Sequence, residues 1–323
     1  MRNRNPGEGR RAALELSAAA FPVFQHCVGA GWVSALAGGG AAGLVLTGLW
    51  RGLRGRSFRA GVGSTGIRRI GLVVLTAGML LLAVWGAGAS ALAFPETAGN
   101  PVAACLVLAL SWAAVRRGAE VPGRCAAVLV RLLAALYGIV LVFSLPQLRW
   151  EWLRPEWSLP GAVRCFWVLL LPGAGLCLER EGRAGFPWQA WAVVPLAGAG
   201  ALVTAGILSP ALATEPMAFH TLARSVSVLG VMLRFEALIS GAQLISGFCL
   251  CTLLLAAARS LLEGLLGKSR TESVFLILLP VLLALIWLRP DRLPELGGGI
   301  AICSALILTI PPLVGVKRKR KNI

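Results

Sequence analysis

Residues 70–94 read IGLVVLTAGMLLLAVWGAGASALAF, a run without one ionisable side chain that follows Arg68-Arg69 and precedes Pro95-Glu96. About 20 predominantly apolar residues cross the hydrocarbon core of a bilayer. A helix of that length on a soluble domain would carry a charged or polar face toward water. This stretch has no such face, so it predicts a transmembrane helix over Ile70–Phe94. The whole chain shares the bias: of 323 residues, 57% are hydrophobic and only 14% charged, where a soluble domain carries roughly a quarter charged residues. The 39 Gly and 18 Pro are also better tolerated in lipid-embedded helices than in soluble ones.

The same ruler, moved outward, marks nine further spans: Ala12–Val28, Trp32–Leu49, Pro101–Val115, Cys125–Leu145, Gly161–Leu178, Trp188–Leu208, Leu238–Ala258, Val274–Leu288 and Gly298–Val314. The expected fold class is an all-α polytopic membrane protein of about ten helices, one integral membrane domain over 1–323. Residues 1–11 form a basic cytoplasmic N-terminus, 12–314 the bundle and 315–323 a basic cytoplasmic tail. Charge tests the count. With the N-terminus inside, the inside segments hold 23 Lys and Arg and the outside segments 7, Arg131 falling within a span. That asymmetry is the positive-inside pattern for ten spans with both ends cytoplasmic, and Trp150, Trp152 and Trp157 fit an interfacial belt. The basic start lacks a small-x-small cleavage site before Val28 and runs on into membrane, so no cleavable signal peptide is expected.

A formal charge of +17 would suit nucleic acid only on a polar domain with a basic face. Here the cations sit between apolar runs, and Lys317–Lys321 reads as an orientation anchor that favours anionic membrane lipid. Gly61-Val62-Gly63-Ser64-Thr65-Gly66 matches the dinucleotide-binding string, but it lies in a basic loop with no preceding strand. Gly264–Ser269 ends in Gly-Lys-Ser, yet Leu262 stands where a phosphate-binding loop needs its first glycine. Two His, one Asp and no HExxH or GxSxG leave no catalytic constellation. The eight Cys show no CxxC pair and read as small packing residues. No enzyme activity, cofactor or metal is expected.

The informative positions are the broken helices. Transporter folds place solute sites near the midplane, at discontinuous helices in equivalent positions of two inverted repeats. In a five-plus-five arrangement these are the first and sixth spans. The first contains Phe21-Pro22 and ends in Gly29-Ala30-Gly31; the sixth contains Leu171-Pro172-Gly173-Ala174-Gly175. Proline removes a helix donor and glycine relaxes the backbone, and freed amides can hold a carboxylate; ordinary proline kinks are the plainer alternative. The expected substrate-binding residues are Phe21, Pro22, Gln25, Trp167, Pro172, Gly173 and Gly175. Arg131, seven residues and about 10 Å of helix from Arg124, is expected to face the interior. With Arg234 and Glu236 it is a candidate for gating or structural coupling.

Several segments then resemble one family. Phe94-Pro95-Glu96-Thr97, Val115-Arg116-Arg117-Gly118-Ala119-Glu120-Val121, Gly123-Arg124 and Ser144-Leu145-Pro146 resemble the middle of the spore germination permeases. So does Leu222-Ala223-Arg224-Ser225-Val226-Ser227-Val228 followed by Arg234-Phe235-Glu236-Ala237-Leu238, which resembles the segment leading into that family's eighth span. Those permeases are the B-subunits of endospore nutrient receptors. The resemblance implies the amino acid–polyamine–organocation transporter fold, with five-plus-five inverted repeats, and a location in the spore inner membrane. It also implies a small nutrient ligand, commonly amino-acid-like, and partnership with an A-type membrane subunit and a C-type lipoprotein subunit. Where the family commonly carries an aromatic residue after its Arg-x-acid triplet, this sequence has Gln243, and its sixth span lacks a carboxylate. An ordinary amino acid or organic cation transporter and a non-binding scaffold subunit are the alternative readings.

Overall fold

The structure is a computed structural model that describes residues 6–53, 66–91, 101–118, 120–153, 155, 157–178, 188–208, 218–225, 227–228, 231–232 and 236–288. Its helices are α1 (Pro6–Pro22), α2 (Trp32–Leu53), α3 (Gly66–Ala91), α4 (Pro101–Arg116), α5 (Glu120–Ser144), α6 (Leu159–Leu169), α7 (Trp188–Ile207), α8 (Ala218–Ser225), α9 (Glu236–Leu266) and α10 (Lys268–Leu288). A two-residue antiparallel ribbon, Ser227–Val228 against Val231–Met232, joins α8 to α9. Five helices, α2, α3, α5, α9 and α10, are long and apolar enough to cross a membrane, and α4, α6 and α7 are shorter apolar helices. The protein is an all-α polytopic membrane protein. Its outward faces agree: Leu44, Ile70, Val128 and Ile277 are each more than 60% exposed, a surface that water would not tolerate as a continuous band.

Three boundaries lie well away from the sequence reading. The first helix starts at Pro6, not Ala12, and carries Arg11 and Glu15 as an i,i+4 ion pair at 2.8 Å, which lets a charged stretch stay helical. α9 runs to Leu266 instead of Ala258, and α10 begins at Lys268 instead of Val274. Only Gly267 separates them. Its φ of 80° is the left-handed cap that glycine supplies without strain, and its N–H donates to the Glu263 carbonyl at 3.1 Å. The expected tenth span, Gly298–Val314, lies outside the described residues.

The buried side chains form two cores. One gathers α3, α4, α9 and α10 around Trp85, Trp112 and Phe275, with the inner part of α1 up to Phe21. The other gathers α2, α5, α6, α7 and α8 around Phe24, Tyr137 and Phe219. Helices α3 and α9 pair most extensively and run antiparallel. The Cys251 thiol donates to the Ala83 carbonyl at 3.3 Å, and Gly247 meets Ser90 so closely that a side chain there would strike it, with Phe21 in ordinary contact. Helix α1 packs chiefly on α9 and α5, α2 on α7 and α6, and α4 on α9 and α3, with α10 against α4 and α9. Helix α1 lies along the seam between the cores, giving Phe21 to one and Phe24 to the other.

Candidate functional site

Pro22 has no N–H, so the helical bond it would make four residues back is absent. The chain widens into a π turn over Val23–Cys27 and then tightens into a 3-10 turn over Val28–Ala30. It stops at Gly31, whose φ of 79° and ψ of 140° belong to a region that residues with a Cβ avoid. The Gly31 carbonyl accepts from the Ala35 N–H at 2.9 Å, and α2 starts there. The sixth helix breaks in its turn. α6 ends at Leu169, the Gly173 N–H donates to the Leu170 carbonyl at 2.9 Å, and the chain continues as 3-10 turns over Leu171–Leu178.

The two broken helices are antiparallel. Gly161 lies under Ala30, Cys165 beside Cys27, and Gly175 against the Glu15 carboxylate. In that register Pro22 sits level with Leu169–Leu170. Both breaks therefore begin at one depth, helix 1 losing regular structure toward one membrane face and helix 6 toward the other.

Polar side chains without partners collect beside the first break. Gln25 donates from Nε2 to the Ala89 carbonyl at 3.1 Å, while its Oε1 has no partner. The His26 ring lies on Trp85, with centroids 5.3 Å apart, and its Nε2 is unpartnered. Phe24 stacks on Tyr137 at 3.8 Å and leans on Phe219 of α8. The Tyr137 hydroxyl stands beside Ser246, whose Oγ donates to the Gln243 carbonyl at 3.0 Å and keeps lone pairs that can accept from the phenol. Gln243, 1% exposed, has neither its side-chain nitrogen nor its oxygen hydrogen-bonded. It lies one turn before Gly247, which faces Phe21, and three residues before Ser246, so it points between the first break and α5. Each orphaned buried group costs about 1–3 kcal/mol. Gln25, His26 and Gln243 thus carry buried polar atoms without a hydrogen-bond partner around the first break.

The expected site residues divide. Phe21 is fully buried against Trp85 at 6.3 Å, Pro22 starts the break, and Gln25 belongs to the unpaired cluster. Trp167 packs beside Phe166 on the second core. Pro172 is half-buried. Gly173 meets Leu46 and Gly175 meets Glu15, so these two glycines serve close packing of the second break on α2 and α1. The interior orientation expected for Arg131 is not what the structure shows. It is exposed beside Val128 and Leu132, because the buried stripe of α5 runs through Ala126, Leu133, Tyr137 and Val140. Arg234 and the side chain of Glu236 lie outside the described residues.

No protein-family model matches the chain, and no curated protein matches it. Around the first break, sequence reasoning missed Tyr137 and His220, and took Gln243 only as a departure from the family pattern. His220 Nε2 lies 3.1 Å from Ser240 Oγ, tying α8 over the cluster. A signal existed for one of them: Tyr137 is the single tyrosine of the sequence, set within an otherwise apolar span.

Proposed function

We propose that the protein is a solute-responsive membrane subunit of the spore-germination permease type. A small nutrient binds at the broken first helix and biases a two-state bundle that gates an ion or solute path. The observation that carries this reading is the pair of helix breaks that begin at one depth and run in opposite directions beside a cluster of unpaired buried polar groups. Segments Val115–Val121, Gly123-Arg124 and Ser144–Pro146, with their resemblance to germination permeases, support the family assignment. The charge asymmetry supports cytoplasmic termini. On this reading the membrane is the spore inner membrane, and the partners are an A-type membrane subunit and a C-type lipoprotein. The ligand shifts the equilibrium only by its differential affinity for the two states.

One observation favours a secondary transporter as the second reading. Glu15 is a buried carboxylate packed directly on the second break, where a coupling ion would act. Proteoliposomes that hold the protein with its co-expressed partners separate the two. A receptor releases trapped ions on addition of nutrient without accumulating it, whereas a transporter accumulates labelled nutrient under a proton gradient. Neither response to any nutrient would overturn the solute-binding reading.

A further inference from the structure

We propose that the outward face of α5 around Arg131 docks a membrane-spanning helix of a different protein, one that carries an Asp or Glu at mid-depth. The proposal needs only that α5 crosses the membrane, and it stands apart from the solute-site reading.

Arg131 sits where an unpaired charge is hard to keep. The span that contains it runs Val121–Gln147, so it lies about 15 Å of helix from one end and about 24 Å from the other. Its side chain is exposed and makes no hydrogen bond or ion pair among the described residues. A guanidinium keeps its charge in a protein, and at that depth it is expensive when only hydrocarbon surrounds it. Snorkelling does not relieve it. Arg124, which marks the inside end, is about 10 Å of helix away, more than a three-methylene stem spans.

Helix α5 also has room for a neighbour. Only 22% of its span is buried, against 67% for α3 and 72% for α9. Arg131, Ala134, Ala135, Gly138 and Val142 recur at helical spacing along its outward side. A Cβ added at Gly138 would meet nothing, and Ala134 and Gly138 have the small-xxx-small spacing that lets a second helix come close.

The charge decides what that helix carries. A carboxylate facing Arg131 would accept two parallel hydrogen bonds from the guanidinium, with little water to screen them. A second copy of this chain does not supply it. Of the 14 acidic residues, Glu15 alone falls within an expected span, and it is buried and paired with Arg11. A lipid headgroup phosphate meets Arg124 first, which is exposed on the same side of α5 nearer the membrane surface.

The test places a benzophenone photo-crosslinker at Val128, one exposed turn from Arg131, in the full chain in its native membrane, and sequences the adducts. The expected adduct is a membrane span of another protein with an Asp or Glu near its centre. Arg131→Leu should lower its yield about tenfold or more, because the partner's carboxylate is left unpaired. Arg131→Lys, which keeps the charge and loses the fork, should lower it only about twofold. Arg131 lies outside both cores, so Arg131→Leu should leave the unfolding midpoint of the purified chain unchanged. A lowered midpoint would make the arginine part of this chain's own packing and overturn the docking role. Adducts confined to lipid, to peptides of this chain or to a span without an acid overturn it too, as does a yield indifferent to Arg131→Leu.

Discussion

Arg259 ties three helices together, and its removal gives the sharpest test of the packing. From α9 its Nη1 donates to the Val115 carbonyl at the end of α4 at 2.6 Å, its Nη2 donates to Glu272 of α10, and its Nε lies 3.3 Å from Glu263. The arginine and Glu263 side chains are 13% exposed and Glu272 is 38% exposed. Arg259→Met keeps the aliphatic stem, so the loss falls on charge and hydrogen bonds. Removing one partner of a fully buried ion pair costs about 3–5 kcal/mol. The exposure of Glu272 lets water take back part of that penalty, so the expected cost is about 2–3 kcal/mol. Unfolding in a mixed-detergent titration measures it. A cycle with Glu272→Gln should then give a coupling of at least 1 kcal/mol, since residues in one ionic network do not behave independently. Changes that add within about 0.5 kcal/mol would refute the three-helix tie.

Two further substitutions probe the breaks. Gly175→Ala places a methyl group in the Glu15 carboxylate and should cost about 1–3 kcal/mol of stability; making Glu15→Ala as well should recover most of it in the same unfolding assay. Gly31→Ala forces a Cβ into the backbone region that ends the first break and should cost a similar 1–3 kcal/mol; an unchanged unfolding midpoint would mean that the chain does not turn there.

The long apolar runs announced α2, α3, α5, α9 and α10, because lipid demands an uninterrupted apolar stretch and the sequence has little else. α7 came out within one residue of expectation, at Trp188–Ile207. The charged ends were harder. Arg259, Glu263 and Glu272 look like separate interfacial charges in the sequence, and only the hairpin at Gly267 brings 259 and 272 together. Pro22 and Leu171–Gly175 signalled where helices loosen, since proline and glycine act on their own backbone. They did not signal which side chains pack around the breaks. Gln243 was visible only as a missing aromatic, and Tyr137 only as the single tyrosine of an apolar span, because the need for a partner appears only when burial is known. Arg131 misled for the same reason: depth along a helix says nothing about which side of it faces lipid.

The α3–α9 pair also fixes how the protein can change shape. Gly247 leaves no clearance against Ser90, and the Cys251 thiol donates to Ala83 across the same contact, so neither helix can slide past the other without opening their joint. Their middle amides should then be the slowest in the molecule to exchange with deuterium. Helix 1 hangs on that rigid pair by Phe21, while Phe24, one turn on, belongs to the other core. Along helix 1 the two cores interleave, Ala18 and Phe21 in one and Ala19, Ala20, Val23 and Phe24 in the other, so a small rotation of one core against the other is carried by that whole stretch, as a wide swing of two oars is taken up along the gunwale.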